Sequence, residues 1–244
     1  MNPTHYVVAL LTLGLTTTSF SQSIIQLPTR HRHPLTGNRR IRADDSLYCA
    51  SWRFSVETND AGAWSSIPAR CQDYVKEYVS GDRYLSDSDV VAGESLAFIR
   101  TVNVSAEDAG FESDKWSEIF DSNTFNEWVD LAEAPALPAS LRFYKELQEL
   151  GVTIFLLTGR DEFQRNVTVK NLAYAGYSNW ERLFLREPSD EGKLATLYKS
   201  EKRLQIEDEG YTIQGSSGDQ WSDLQGFAVA KRSFKLPNPM YYIA

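Results

Sequence analysis

Three short stretches hold the residue types that could do chemistry. Thr158, Gly159 and Arg160 follow the apolar run 152–157, Val-Thr-Ile-Phe-Leu-Leu; Lys199 sits within Tyr-Lys-Ser-Glu-Lys-Arg at 198–203; and Gly218-Asp219 precedes Asp223 in Gly-Asp-Gln-Trp-Ser-Asp. A hydroxyl, a close-approach glycine and a helix that Asp161 can cap form a setting for an oxyanion such as phosphate, because the first N–H groups of a helix have no partner within it. Asp219 and Asp223 can converge on a hard cation, Mg²⁺ being the natural candidate, if the glycine turn leads into helix. An Asx-rich turn produces the same pattern. A lysine held at this edge would act as a point charge on phosphate, whereas Lys202 and Arg203 are expected on a solvated helix face. The folded part has no histidine: past the N-terminus only His31 and His33 occur, both in a basic leader. Ser-His-Asp, Cys-His and histidine-ligated zinc chemistry are therefore excluded.

The elements that must position these residues follow from periodicity. The run 152–157 has no polar face and follows the helical pattern Leu137, Leu141, Tyr144, Leu147 with Gly151 as its stop, so it predicts an interior parallel strand. A helix from Asp161 to Ala175 stopped by Gly176, a strand 183–185, a helix from Lys193 to Glu209 stopped by Gly210, a strand 211–214 and a strand-like segment 226–234 come next. Strands alternating with helices of this length give βαβ crossovers and a parallel sheet whose C-terminal edge binds ligands. Upstream, Ser86-Asp87 opens a helix to about Val102, and 47–81 predicts an N-terminal cap with helical spacing only at Tyr74, Val75 and Tyr78. Phe125, Trp128 and Val129 share one helical face. Residues 103–120 are polar and acidic and contain no run that could make a buried strand. Trp180, Trp221, Tyr241 and Tyr242 are expected to pack.

The chain of 244 residues, with 42% hydrophobic and 24% charged residues, is long enough for one domain and a tail. Its net charge of −8 argues against a general nucleic-acid binder. The apolar run 6–15 is too short to span a bilayer and is followed by small residues, which predicts a signal peptide over 1–21. Residues 22–45, with Arg30, Arg32, Arg39, Arg40 and Arg42, show no hydrophobic period: a disordered basic leader, either a solvated pro-segment or a membrane- or nucleic-acid-binding tail. The domain then covers 46–244, and the destination is secretion or the vacuole. In that compartment Cys49 and Cys71 are expected to pair, the alternative being two buried thiols. Sequons at Asn103 and Asn166 fit secretion, Asn103 being the better acceptor because Asn166 falls in a predicted helix.

Leu-Leu-Thr-Gly-Arg at 156–160, the run 198–203, Ser-Gly-Asp-Gln-Trp-Ser-Asp at 217–223 and the terminus 232–242, Arg-Ser-Phe-Lys-Leu-Pro-Asn-Pro-Met-Tyr-Tyr, together closely resemble the plant class B acid phosphatases and vegetative storage proteins of the haloacid dehalogenase (HAD) superfamily. The resemblance implies an α/β fold: a Rossmann-like parallel sheet of haloacid dehalogenase type with a helical N-terminal cap. It also implies Mg²⁺-dependent hydrolysis of a small phosphomonoester through an aspartyl-phosphate, with a homodimer left open and neither nucleic acid nor membrane as partner. In its terms Thr158 and Gly159 bind the phosphoryl group, Lys199 stabilises charge, and Asp219 with Asp223 holds the metal and its surroundings.

This sequence departs from the family at one place. Relatives carry an apolar strand ending in Asp-x-Asp-x-Thr ahead of the Phe125 region, the first Asp being the nucleophile and the second the general acid/base. Residues 103–120 hold neither that motif nor its strand, and Asp108 and Asp114 have no setting that resembles it. The expectation is an acid phosphatase scaffold that lacks its central first strand and is impaired in catalysis; a non-catalytic storage protein and a splice or gene-model variant are the alternatives. The signal-peptide reading yields a first expected outcome. N-terminal sequencing of protein from tissue should find the mature chain starting near Gln22 or later, and recovery of intact Met1 would refute export by this route.

Overall fold

The interior strand expected over 152–157 starts three residues later, at Phe155, and runs on to Asp161; its apolar residues are covered on both faces, and among the described residues it pairs on one side only. The computed structural model describes residues 45–102 and 130–243. The signal peptide, nearly all of the basic leader, the segment 103–120 with Asn103, Asp108 and Asp114, and the Phe125 face lie outside the described residues. β1, Phe155–Asp161, pairs in parallel with β2, Arg182–Arg186, setting Leu156 opposite Leu183 and Leu157 opposite Phe184. Leu156 turns to a core with Leu96, Ile99, Phe143 and Leu147, and Phe155 to a second core with Phe184, Ile206 and Ile213. Adjacent strand residues alternate faces, so an unbroken apolar run is what a two-faced strand requires.

Helices pack against both of these cores, and the first two form a third cluster around Cys49, Cys71 and Val75. In chain order they are α1, Asp45–Glu57; α2, Gln72–Val79; α3, Asp82–Thr101; α4, Pro138–Glu149; α5, Arg165–Tyr174; α6, Ala195–Asp208; and the single turn α7, Trp221–Leu224. Pro138 opens α4 at a position where its missing N–H costs nothing. Gly176 and Gly210 end α5 and α6 at φ +94° and +96°, a left-handed conformation that other residues adopt only under strain. α3 begins four residues before the expected Ser86, because Gly81 serves as its N-cap and Tyr84 already faces the core at 7% exposure. α1 lay in a stretch that gave no helical period. Its buried Cys49 and Val56 are masked by Leu47 and Phe54, apolar residues that are each 65% exposed. The expected disulfide joins α1 to the turn before α2: Cys49 and Cys71 are bonded with Cα atoms 5.3 Å apart, 22 residues apart in sequence, and no cysteine is free. A closed loop of that length contributes roughly 3 kcal/mol.

A second parallel pair joins β3, Gly215–Gly218, to β4, Arg232–Lys235. The strand expected over 211–214 is thus displaced towards its C-terminal end, although Ile213 and Gln214 already accept backbone bonds from Lys231 and Arg232 at 3.0 and 3.1 Å. Gly-Ser-Ser-Gly has no apolar pattern to read; it is placed by its neighbours, Ile99 and Phe234 lying against Gly215. The strand-like segment 226–234 shrinks to its last part, because Ala228 takes φ +49°, which no strand residue can. A small crevice, partly open to solvent, is lined by Ile99, Phe143, Leu147, Val152, Gly215–Ser217 and Phe234. Among the described residues no strand joins β1 to β3. No described helix is long and apolar enough to cross a membrane.

Asp190, 2% exposed in the turn after β2, accepts Lys193 Nζ at 2.8 Å, the Glu187 N–H at 3.1 Å and Lys202 Nζ at 3.1 Å. Burial pushes its carboxyl up, but the Lys193 ammonium, the Glu187 amide and Lys202 outweigh burial and hold it below the usual range. A depressed carboxyl stabilises the fold fully above its unfolded value of about 4 and loses that contribution as pH falls through the folded value. Asp190→Asn should therefore lower stability by about 2 kcal/mol near neutral pH, with the deficit shrinking below about pH 4. Urea titrations of both proteins across pH measure it; a pH-independent deficit would contradict the assignment.

Candidate active site

The end of β3 gathers three of the expected residues. Gly218 is followed by Asp219 and by Gln220, which caps α7, and Asp223 closes a reciprocal capping box on Gln220. Asp223 Oδ2 accepts the Gln220 N–H at 2.8 Å, and its Oδ1 accepts a hydrogen bond from Lys199 Nζ. The side chains of this ion pair are 3% and 10% exposed. The β3–α7 turn thus leads into helix, as the two-carboxylate reading required. Gly218 has no alternative here: a Cβ would lie 2.4 Å from Asp223 Cβ and 2.5 Å from its Oδ2.

Lys199 stands on α6 beside buried Tyr198, Ser200 and Arg203. Sequence reasoning placed Arg203 and Lys202 on a solvated face, and both placements are overturned. Arg203 is 4% exposed and donates to Asp223 O at 2.8 Å, Ala228 O at 3.1 Å, Phe227 O at 3.2 Å and Ser200 Oγ at 3.0 Å. Burial pushes the guanidinium below its ordinary value, with Asp223 and Glu207 opposing; an arginine remains charged regardless. The loop after α7 folds over α6 and offers its carbonyls, which no helical period could reveal. Lys202 reaches Asp190.

Asp219, 4% exposed, is held by the C-terminal tail. Its Oδ2 accepts hydrogen bonds from the Asn238 side-chain amide and from Tyr241 OH at 3.2 Å. Gln220 is tied to the same tail, donating to Tyr241 O at 3.1 Å and accepting the Ile243 N–H at 2.9 Å. Tyr241 therefore does more than pack, and the run Pro-Asn-Pro-Met-Tyr-Tyr supports the site. Sequence reasoning passed over Asn238, whose only signal was its place in that run.

Thr158 lies on β1 and is 6% exposed, its Oγ1 accepting the Arg160 N–H at 3.2 Å. The strand runs on to Asp161, so Thr158 falls within it and not at its last residue, but the pairing register with β2 is irregular between Leu157 and Asp161. Such bulges re-aim side chains and often flank active sites. Gly159 is exposed, and a Cβ there would meet nothing within 4 Å; the backbone is open to an incoming group. Asp161 caps as expected, though on a short 3₁₀ turn before α5, in a reciprocal box with Gln164. Within α5, Asn166 is exposed while Thr168 of its sequon is buried and accepts Arg160 Nη1 at 3.3 Å.

Asp223 commits one oxygen to Lys199 and the other to Gln220; among the described residues no group of three or more metal-ligating side chains converges. Mg²⁺ is commonly held by one or two carboxylates with waters completing the octahedron. Asp219 fits that role, and Asp223 fits that of a residue behind it. A closer pair of carboxylates, Asp87 and Asp89 two residues apart, lies mid-helix in α3, with Asp87 taken by Arg53, Arg83 and Tyr78.

With this geometry in place, comparison with known proteins gives the family. The model of HAD superfamily subfamily IIIB (acid phosphatase) matches residues 36–116 and 107–244, in two pieces that overlap at 107–116. The chain belongs to this family. It is 42% identical over 253 aligned residues to Acid phosphatase 1 of Solanum lycopersicum, covering 97% of each chain. It is 39% identical to the Stem 28 kDa glycoprotein of Glycine max over 80% of this chain and 84% of that one. Vegetative storage protein 2 of Arabidopsis thaliana is 34% identical, over 80% of each. Among solved structures, the class C acid phosphatase from Bacillus anthracis with tungstate bound superposes with a TM-score of 0.50 over 81% of this chain and 87% of that one, at 19% identity. That likeness supports a fold of the acid phosphatase type.

The crowding at Gly218 gives a test. Gly218→Ala should cost about 1–3 kcal/mol by displacing Asp223 from Lys199, whereas Gly159→Ala, with open space around it, should melt like the unaltered protein. Equal melting of the two variants would show that Gly218 is not closely packed.

Proposed function

We propose that this chain retains the phosphate- and metal-binding half of a secreted or vacuolar acid phosphatase and hydrolyses phosphomonoesters poorly, because it lacks the nucleophile. The observation that carries the reading is the buried Lys199–Asp223 pair beside Asp219 at the end of a parallel strand, in a chain of this family with no Asp-x-Asp-x-Thr at 103–120. The Thr158 hydroxyl and the open backbone at Gly159 would receive a phosphoryl oxygen, and the Lys199 ammonium would neutralise its charge. Asp223 holds that ammonium in place, and Arg203 holds the backbone of Asp223. Asp219 would hold Mg²⁺, which when bound supplies further positive charge to the phosphoryl oxygens. None of these groups can attack phosphorus.

Two observations support loss of a central strand with the motif. The family match breaks into two pieces that meet at 107–116, inside the atypical segment. The alignment to the tomato protein is longer, at 253 positions, than this chain of 244 residues, so gaps open on this side. A splice or gene-model variant of an intact enzyme accounts for both, and sequencing the transcript across the codons for residues 103–118 tests it. The similarity to a stem glycoprotein and to a vegetative storage protein favours a second reading, a reserve protein on the same scaffold.

Holding a nucleophile in line with phosphorus is worth ~7–11 kcal/mol of barrier, and the groups retained can leave a remnant of catalysis. Purified protein with Mg²⁺ should turn over a simple aryl phosphate at least about a thousandfold more slowly than an intact relative, since a factor of ten is about 1.4 kcal/mol. Turnover within tenfold of that relative, abolished by Asp219→Ala, would overturn the proposal and direct attention to Asp108 or Asp114 as a substitute nucleophile.

A further inference from the structure

The hold on Asp219 continues to the N-terminal helix. Asn238, whose side-chain amide donates to Asp219, is fixed at two further points: its Oδ1 accepts the Met240 N–H at 3.0 Å, and its backbone N–H donates to Glu57 Oε2 at 3.1 Å. The first contact sets which end of the amide faces Asp219; turned over, the amide oxygen would confront a carboxylate. The second sets where the residue sits. Glu57 is the last residue of α1, and the same oxygen accepts Lys235 Nζ from the end of β4 at 2.9 Å, both side chains being 15% exposed or less. The end of α1 is fastened a second time, by the Trp221 indole N–H donating to Val56 O at 3.3 Å. Trp221 is the first residue of α7, two positions after Asp219. α1 is in turn anchored by Cys49, on the same helix eight residues before Glu57.

We propose that Glu57 is a positioning residue for Asp219, acting through Asn238, so that the disulfide-anchored N-terminal helix sets the geometry of the metal-binding carboxylate. The inference rests on the reading of Asp219 as the Mg²⁺ carboxylate. A simple structural brace between α1 and β4 would need only Glu57 and Lys235. The Asn238 N–H on the same oxygen is the contact that leads to the site, and the Asn238 amide on Asp219 completes the path. Groups that orient a ligating carboxylate in this way typically govern metal affinity by 10–100-fold.

The experiment uses the full chain with its disulfide intact and Mg²⁺ alone as probe. Calorimetric titration compares the unaltered protein with Glu57→Ala, Glu57→Gln and Asp219→Asn, and amide hydrogen exchange is followed in peptides covering residues 215–224 and, as a control, β1. Gln keeps an oxygen for the Asn238 N–H, so Glu57→Gln should bind Mg²⁺ within about threefold of the unaltered protein, while Glu57→Ala should bind about tenfold more weakly and exchange faster over 215–224 without change in β1. Mg²⁺ binding that Asp219→Asn abolishes and Glu57→Ala leaves unchanged would overturn the positioning role and leave the metal assignment standing. Failure of the unaltered protein to bind Mg²⁺ would overturn the metal assignment instead, and unchanged exchange over 215–224 in Glu57→Ala would then overturn the coupling as well.

Discussion

A buried ion pair organises this end of the molecule. Taking the Lys199 ammonium and the Asp223 carboxylate out of water costs several kcal/mol each, which their attraction recovers only with close geometry and further hydrogen bonds. Those conditions account for much of the surrounding sequence. Gly218 lets Asp223 approach β3, Gln220 satisfies its second oxygen, and Arg203, itself costly to bury, fixes the backbone carbonyls of Asp223, Phe227 and Ala228. A purely apolar packing would stabilise a fold more cheaply. The arrangement makes sense as a preset positive charge beside a second carboxylate, the combination a phosphate and its cation need.

The same edge is fed from three remote parts of the chain. α6 supplies Lys199, the β3–α7 turn supplies Asp219 and Asp223, and the C-terminal tail with the end of α1 restrains Asp219 through Asn238 and Tyr241. Among the described residues β1–β2 and β3–β4 are separate parallel pairs that no strand joins.

How much of this was legible depended on range. β1, β2, α4, α5 and α6 follow from local periodicity, and their stops from Gly176 and Gly210, because burial on one face or both writes itself into consecutive residues. Thr158, Lys199, Asp219 and Asp223 stood out by residue type and by resemblance to the family's runs; the structure places Thr158 within β1, Lys199 within α6 and Asp223 within α7. α1 escaped because exposed Leu47 and Phe54 blur its period, and β3 because Gly-Ser-Ser-Gly has no apolar side chains to declare a face. Arg203, Asn238, Tyr241 and Glu57 were unreadable in their roles for a different reason: each acts across 19 or more residues of sequence or on backbone carbonyls of a distant loop. Nothing local marks such a partner.

Mixing the full chain with a radiolabelled phosphomonoester and Mg²⁺, quenching in acid and looking for covalent label tests the proposed binding half without its nucleophile, while equilibrium dialysis measures retention of inorganic phosphate. Mg²⁺-dependent phosphate binding that Lys199→Met weakens strongly, with no covalent label above background, is the expected result. A stoichiometric, hydroxylamine-labile acyl phosphate on the protein would contradict it.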